Sequence, residues 1–162
     1  MQFIHGGGIK VLTAGGRSPA IGRSIDRLVI TEFGEAQWQK KAAINIFPTV
    51  NKRVNAKVIL ESTPGRAGSH HEQMWRSAME GTSRFHPLFL EWWEDDSCIA
   101  LEKGFAPTVS EREYQTKHQG MSLRNLAFRR RALGTAFVGD ARLFSCKYPS
   151  DPYDGWLGAT DP

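Results

Sequence analysis

Leu28-Val29-Ile30-Thr31-Glu32 and Lys57-Val58-Ile59-Leu60-Glu61-Ser62-Thr63-Pro64-Gly65 decide how this 162-residue chain is read. Each opens as a run that is apolar at successive positions rather than alternating, the pattern of a strand covered on both faces in a parallel sheet. Between them, Gly34 to Phe47 mixes polar and apolar residues at helical spacing, with Trp38, Ala42 and Ile46 on one side and Pro48 as the stop. Strand, helix and strand in this order form a right-handed parallel crossover, which brings both strand C-terminal ends to one edge of the sheet. The expected fold class is therefore α/β.

Upstream, Ile9, Val11 and Leu12 are a short strand candidate between glycine-rich stretches, and Gly22-Arg23 belongs to a loop. Downstream, Ser69 with Glu72 reads as a capping box that opens a helix closed by Gly81, and Leu88-Phe89-Leu90 as a further strand. Ser110 with Glu113 gives a second capping box. Ser122 caps a third helix carrying Leu123, Leu126, Ala127 and Leu133, with Gly120 and Gly134 as stops. From Tyr148 to Pro162 the chain reads as an irregular packed or linker segment.

A chain of this length buries one sizeable core, and 40% hydrophobic with 23% charged residues is the composition of a folded protein. The net charge of +4 permits a polyanionic partner, and the one tight cluster is Arg129-Arg130-Arg131. Three successive arginines on a helix point to different sides, so one is expected to face solvent and another to pair with a carboxylate. Cys98 and Cys146 have no partner at metal-ligand spacing, which suits a reducing compartment. No stretch approaches membrane-spanning length, and Met1 to Lys10 lacks a charged head followed by an apolar run, so neither membrane insertion nor export is expected.

A carboxylate directly after a buried strand lies at the ligand-binding edge of such a sheet, where it can orient a water against a terminal phosphate. Glu32 holds that position. After the second strand, Ser62 and Thr63 offer hydroxyls to a phosphate or a water, and Gly65 and Gly68 let backbone approach closely. Glu94, Asp95 and Asp96 are adjacent acids that point apart, and they read as a solvated turn. His70-His71 lacks the further ligands that a zinc site requires. No metal site is expected, and Trp38, Trp75, Trp92 and Trp93 read as packing aromatics.

This pair of motifs resembles the large subunit of the terminases, the ATP-driven motors that package DNA into tailed-phage capsids. Leu28 to Glu32 is similar to the Walker B strand, Ser62-Thr63-Pro64 with Gly65 and Gly68 to the coupling motif, and Gly22-Arg23 to the turn that can carry an arginine finger. Phe85 to Trp93 resembles the aromatic stretch after the coupling motif. Met121-Ser122-Leu123 through Phe128-Arg129-Arg130 resembles the helical lid, and Phe144 to Pro152 resembles the tyrosine-proline segment that leads out of the ATPase domain.

The resemblance implies part of a P-loop NTPase-like parallel sheet with flanking helices and a small helical lid: a partial ATPase core over 1–100, the lid over 101–140, and a linker towards a nuclease domain over 141–162. It implies that Glu32 activates water, that Arg23 stabilises the transferring phosphoryl, that Ser62 and Thr63 couple phosphate loss to movement, and that Thr31 and Gly65 lie beside the nucleotide. Arg129 and Arg130 become the candidate DNA contacts. The implied cofactors of the complete motor are ATP and magnesium. The implied partners are double-stranded DNA, a ring of like subunits, the small terminase subunit and the portal, in the cytoplasm of a bacterial host.

Two departures bear on activity. No Gly-x-x-x-x-Gly-Lys-Ser/Thr loop occurs, and Gly6-Gly7-Gly8-Ile9-Lys10 lacks its spacing and hydroxyl. Thr31 stands where the family has the acid that holds magnesium. Alone, the chain is therefore expected to hydrolyse ATP poorly or not at all. A second reading is a non-catalytic module that binds DNA or a motor subunit through Arg66, Arg129, Arg130 and Arg131. A third, an unrelated α/β enzyme of phosphorylated substrates, lacks a phosphate cradle and ranks last.

Overall fold

The computed structural model describes Gly8, Ile9, Val11 and residues 25–35, 39–50, 55–101 and 103–156. Two compact units divide the chain, Met1–Glu61 and Ser62–Pro162. Among the described residues the architecture is mixed α/β, with a two-stranded parallel sheet and five α-helices.

In the first unit β1 (Arg27–Ile30) pairs in parallel with β2 (Lys57–Leu60), Leu28 opposite Val58 and Ile30 opposite Leu60. Main-chain bonds carry the ladder past both ends: Lys57 N–H donates to Asp26 O at 2.9 Å, and Glu61 N–H to Ile30 O at 2.9 Å. Parallel strands need a crossover connection, and α1 (Gln39–Asn45) lies in it. The expected single helix from Gly34 is shorter. A 3-10 turn at Phe33–Glu35 comes first, and Pro48 sits inside a second one, Phe47–Thr49, near its start, where its missing N–H costs no bond. Trp38 lies outside the described residues.

Phe33 is fully buried and, with Ile30 and Ile46, makes the centre of this unit. Its ring meets Phe47 at 6.4 Å. The strands are not covered on both faces as their apolar runs predict. Burial alternates along both, and the register partners Val29 and Ile59 are 60% and 52% exposed, because no described element lies over that face. Ile9 and Val11 are exposed and outside any strand, and Leu12 is outside the described residues.

In the second unit α2 (His70–Met79) begins where expected, Ser69 Oγ accepting from Glu72 N–H, and Gly81 ends it in the left-handed region at φ 70°. Leu88-Phe89-Leu90 forms no strand. Its leucines are 76% and 68% exposed, and apolar β-formers without a pairing partner cannot satisfy a strand's main chain. Helix α3 (Val109–Lys117) is capped two residues before the expected position, by Thr108 with Glu111, with both bonds of the capping box formed. The two Ser/Thr-x-x-Glu frames compete, and only the earlier one brings a glutamate to Arg130.

Ser122 caps α4 (Leu123–Thr135) as expected, although the box is completed by Asn125, and the helix runs through Gly134. The region read as a linker contains α5 (Ala141–Lys147), capped by Asp140. Phe144 of α5 is 1% exposed and belongs to the same core as Trp92, Met121 and Leu126, so the lid-like helices and this segment are one packed body. Trp92 meets Phe144 edge-on at 5.6 Å and Tyr148 at 6.2 Å, the packing role expected of it. No helix among the described residues is long and apolar enough to cross a membrane.

Candidate functional site

Strand β1 delivers Thr31 and Glu32 to its C-terminal end, both exposed. Glu32 has φ 53°, one of two described non-glycine residues in the left-handed region, with Val138. The local cause is a one-residue reversal. Phe33 must bury its ring while its N–H donates to Glu61 O at 3.1 Å, so the chain turns at Glu32 alone. Glycine would fill that conformation without the roughly 1–2 kcal/mol that a side chain costs there. A carboxylate kept against that cost, at the C-terminal edge of a parallel pair, is where strained functional residues gather.

Ser62, Thr63 and Pro64 are half-buried and Gly65 is buried, in a stretch without regular structure between β2 and α2. The Thr63 hydroxyl oxygen is shielded from solvent and has no hydrogen-bond partner. Arg66 is exposed, and its carbonyl accepts from Ser69 N–H at 3.1 Å. Burial pushes the Glu72 carboxyl up, but the Gly68 N–H at 2.5 Å and the Arg76 guanidinium at 2.7 Å outweigh it and hold it below its ordinary value. His71 is pushed down by burial. Thr31 and Glu32 belong to the first unit and Ser62, Thr63 and Gly65 to the second. Arg23 lies outside the described residues.

The arginine cluster separates as three consecutive helical positions must. Arg129 lays its guanidinium 4.2 Å over the Tyr114 ring and 5.5 Å from the Phe144 ring. Arg130 sits 4.2 Å over Phe105, donates to both carboxylate oxygens of Glu111, at 2.8 Å to the first, and reaches Ala106 O at 2.9 Å. Hydrogen bonds from Arg130 outweigh burial and, with Thr108, bring the Glu111 carboxyl down to about 2. Arg131 is exposed. One arginine thus pairs with a carboxylate and one faces solvent. The two expected to touch DNA hold the helical unit together through stacking and a bidentate pair.

Asp95 accepts from Ser97 N–H at 2.8 Å, a bond that depresses its carboxyl, and Glu94, Asp95 and Asp96 are all exposed, the solvated turn that adjacent acids predict. No group of three or more His, Cys, Asp or Glu side chains placed to hold a metal occurs among the described residues. Cys98 and Cys146 are buried free thiols, Cys98 pushed up by burial. Sequence reading missed Asn125, which is buried and donates to Cys98 O at 2.9 Å while its carbonyl oxygen accepts from Ser122 N–H at 2.9 Å. The Ser122-x-x-Asn125 spacing was its visible signal. No family model, no curated protein and no solved structure matches the chain.

Proposed function

We propose that the chain is the hydrolysis and coupling portion of a terminase large subunit, a piece of an ATP-driven DNA-packaging motor with a P-loop NTPase-like core. The observation that carries this reading is Glu32, held in the left-handed region at the C-terminal end of a parallel strand. A carboxylate at such a strand end suits the orientation of water for attack on a terminal phosphate, which supports the reading. Support also comes from the uncovered Val29–Ile59 face. Parallel sheets are ordinarily buried on both sides, and two strands alone are a marginal sheet, so a larger sheet accounts for the pattern.

In the assembled motor Glu32 would take the water's proton, Arg23 would neutralise the developing phosphoryl charge, and Ser62 and Thr63 would register phosphate loss, with Thr31 and Gly65 beside the nucleotide. The unsatisfied Thr63 hydroxyl suits that task, being a polar group without a local lock. The donors at the end of β1, one hydroxyl and one carboxylate, do not by themselves fit a magnesium-nucleotide complex. The proposed setting is a ring with double-stranded DNA, the small subunit and the portal, in the host cytoplasm. A phosphate-release assay on the purified chain is expected to give background turnover. Turnover that Glu32→Gln abolishes would overturn the inactivity of the isolated chain.

The second reading, a DNA- or motor-binding module, draws on the exposure of Arg66 and Arg131. With Arg129 and Arg130 engaged in the fold, it predicts weak binding of duplex DNA with a shallow salt dependence set by these two contacts.

A further inference from the structure

Residues 150–156 close on themselves through two carboxylates. Tyr153 N–H donates to Asp151 Oδ1 at 2.8 Å, Gly155 N–H to Asp154 Oδ1 at 2.8 Å, and Asp154 N–H to Asp151 O at 3.2 Å. Ser150 anchors this loop to α3 through a hydroxyl hydrogen bond with Tyr114. From there the loop lies on the stretch from Pro64 to Trp75, at three separate points. Trp75 Nε1 donates to Pro152 O at 2.6 Å, across a sequence separation of 77. The His71 ring meets Trp156 edge-on at 5.2 Å. Gly155 is buried at φ 86°, and a Cβ there would stand 3.1 Å from Pro64 Cγ and collide with the Ser145 carbonyl. Only glycine meets both the left-handed backbone and this approach.

We propose that residues 150–156 are a clasp that positions the Ser62-Thr63-Pro64-Gly65 segment, so that displacement of either is passed to the other. The segment belongs to no helix or strand, so its neighbours fix its place. The clasp's surfaces reach both its proline and the helix it leads into. The significance of the clasp for a motor rests on the coupling role proposed above, while the mechanical link rests on these contacts alone. A shift of Ser62 and Thr63 on phosphate loss then moves the C-terminal segment, the direction in which work would leave the hydrolysis site.

Hydrogen exchange on the full chain tests this without nucleotide, so its outcome stands whether or not the ATPase reading survives. Trp75→Phe removes the indole donor and keeps an aromatic ring. It is expected to speed amide exchange over residues 62–72 about fivefold and to leave 109–135 unchanged. Coupling is reciprocal, so Pro64→Ala is expected to speed exchange at 153–156. Gly155→Ala should exceed both effects, and if it unfolds the unit the two milder variants decide. Exchange over 62–72 that stays within about twofold of wild type in Trp75→Phe, or that rises equally over 109–135, overturns the clasp. Exchange at 153–156 that ignores Pro64→Ala overturns the transmission.

Discussion

Replacing Arg130 by methionine separates an arginine that holds the fold from one that contacts DNA. Its guanidinium donates to both oxygens of Glu111, whose carboxyl is held at about 2 against an ordinary 4.5. At ~1.4 kcal/mol per pH unit that difference corresponds to ~3 kcal/mol of preference for the ionised form in the fold. The Arg130 side chain is 38% exposed, so solvent screening reduces the share attributable to the pair to about 1–2 kcal/mol. Because the folded value lies below the unfolded one, this stability is complete above about pH 4.5 and is lost as pH falls towards 2. Urea titrations followed by tryptophan fluorescence in a Trp38→Phe background report the second unit, which holds the other four tryptophans, Trp75, Trp92, Trp93 and Trp156. Arg130→Met should lose about 1–2 kcal/mol at pH 7 and flatten the decline below pH 4.5. A variant as stable as wild type, with the acid decline intact, would refute the reasoning.

Other substitutions test other parts of the structure. Glu32→Gly relieves the left-handed strain, less glycine's extra unfolded-state freedom, and should slow exchange of β1 amides by the equivalent of about 0.5–1 kcal/mol, while Glu32→Ala gives no gain. Phe144→Ala empties the centre of the second core and should cost about 3–5 kcal/mol in urea unfolding. Asn125→Ala leaves Cys98 O and Ser122 N–H without their partner and should cost about 2 kcal/mol, read as a lower midpoint at unchanged slope. Cys98, buried and with its thiol pushed up, should react with iodoacetamide at pH 8 only on the timescale of unfolding.

The crossover unit was legible because its signals are local: two apolar runs, a helical stretch between them and a proline near its end. The caps at Ser69 and Ser122 were legible for the same reason. What escaped the sequence depends on partners distant along the chain. Leu88 to Leu90 has strand composition but no neighbour to pair with, and α3 is capped by Thr108 rather than Ser110, with Glu111 of that box bonded to Arg130 nineteen residues away. Helix α5 was hidden in a stretch whose prolines and glycines lie mostly beyond Lys147. At the candidate site, the position of Glu32 after β1 was readable, whereas its left-handed backbone follows from the burial of Phe33 and could not be read from spacing. The contacts that Arg129 and Arg130 make within the fold were illegible for a related reason. A basic cluster in sequence says nothing of Tyr114, Phe144 and Glu111 waiting to engage it.

The most direct test of the proposed motor role is to place residues 25–75, carrying Thr31→Asp to restore the metal-holding acid, into a complete terminase large subunit in place of its Walker B strand and coupling motif, and to measure ATP turnover. A chimera that binds ATP should hydrolyse it, and Glu32→Gln should lower that turnover at least about 100-fold, the scale of a lost general base. A chimera that folds and binds ATP without hydrolysing it, or one whose turnover survives Glu32→Gln, would contradict the role assigned to Glu32.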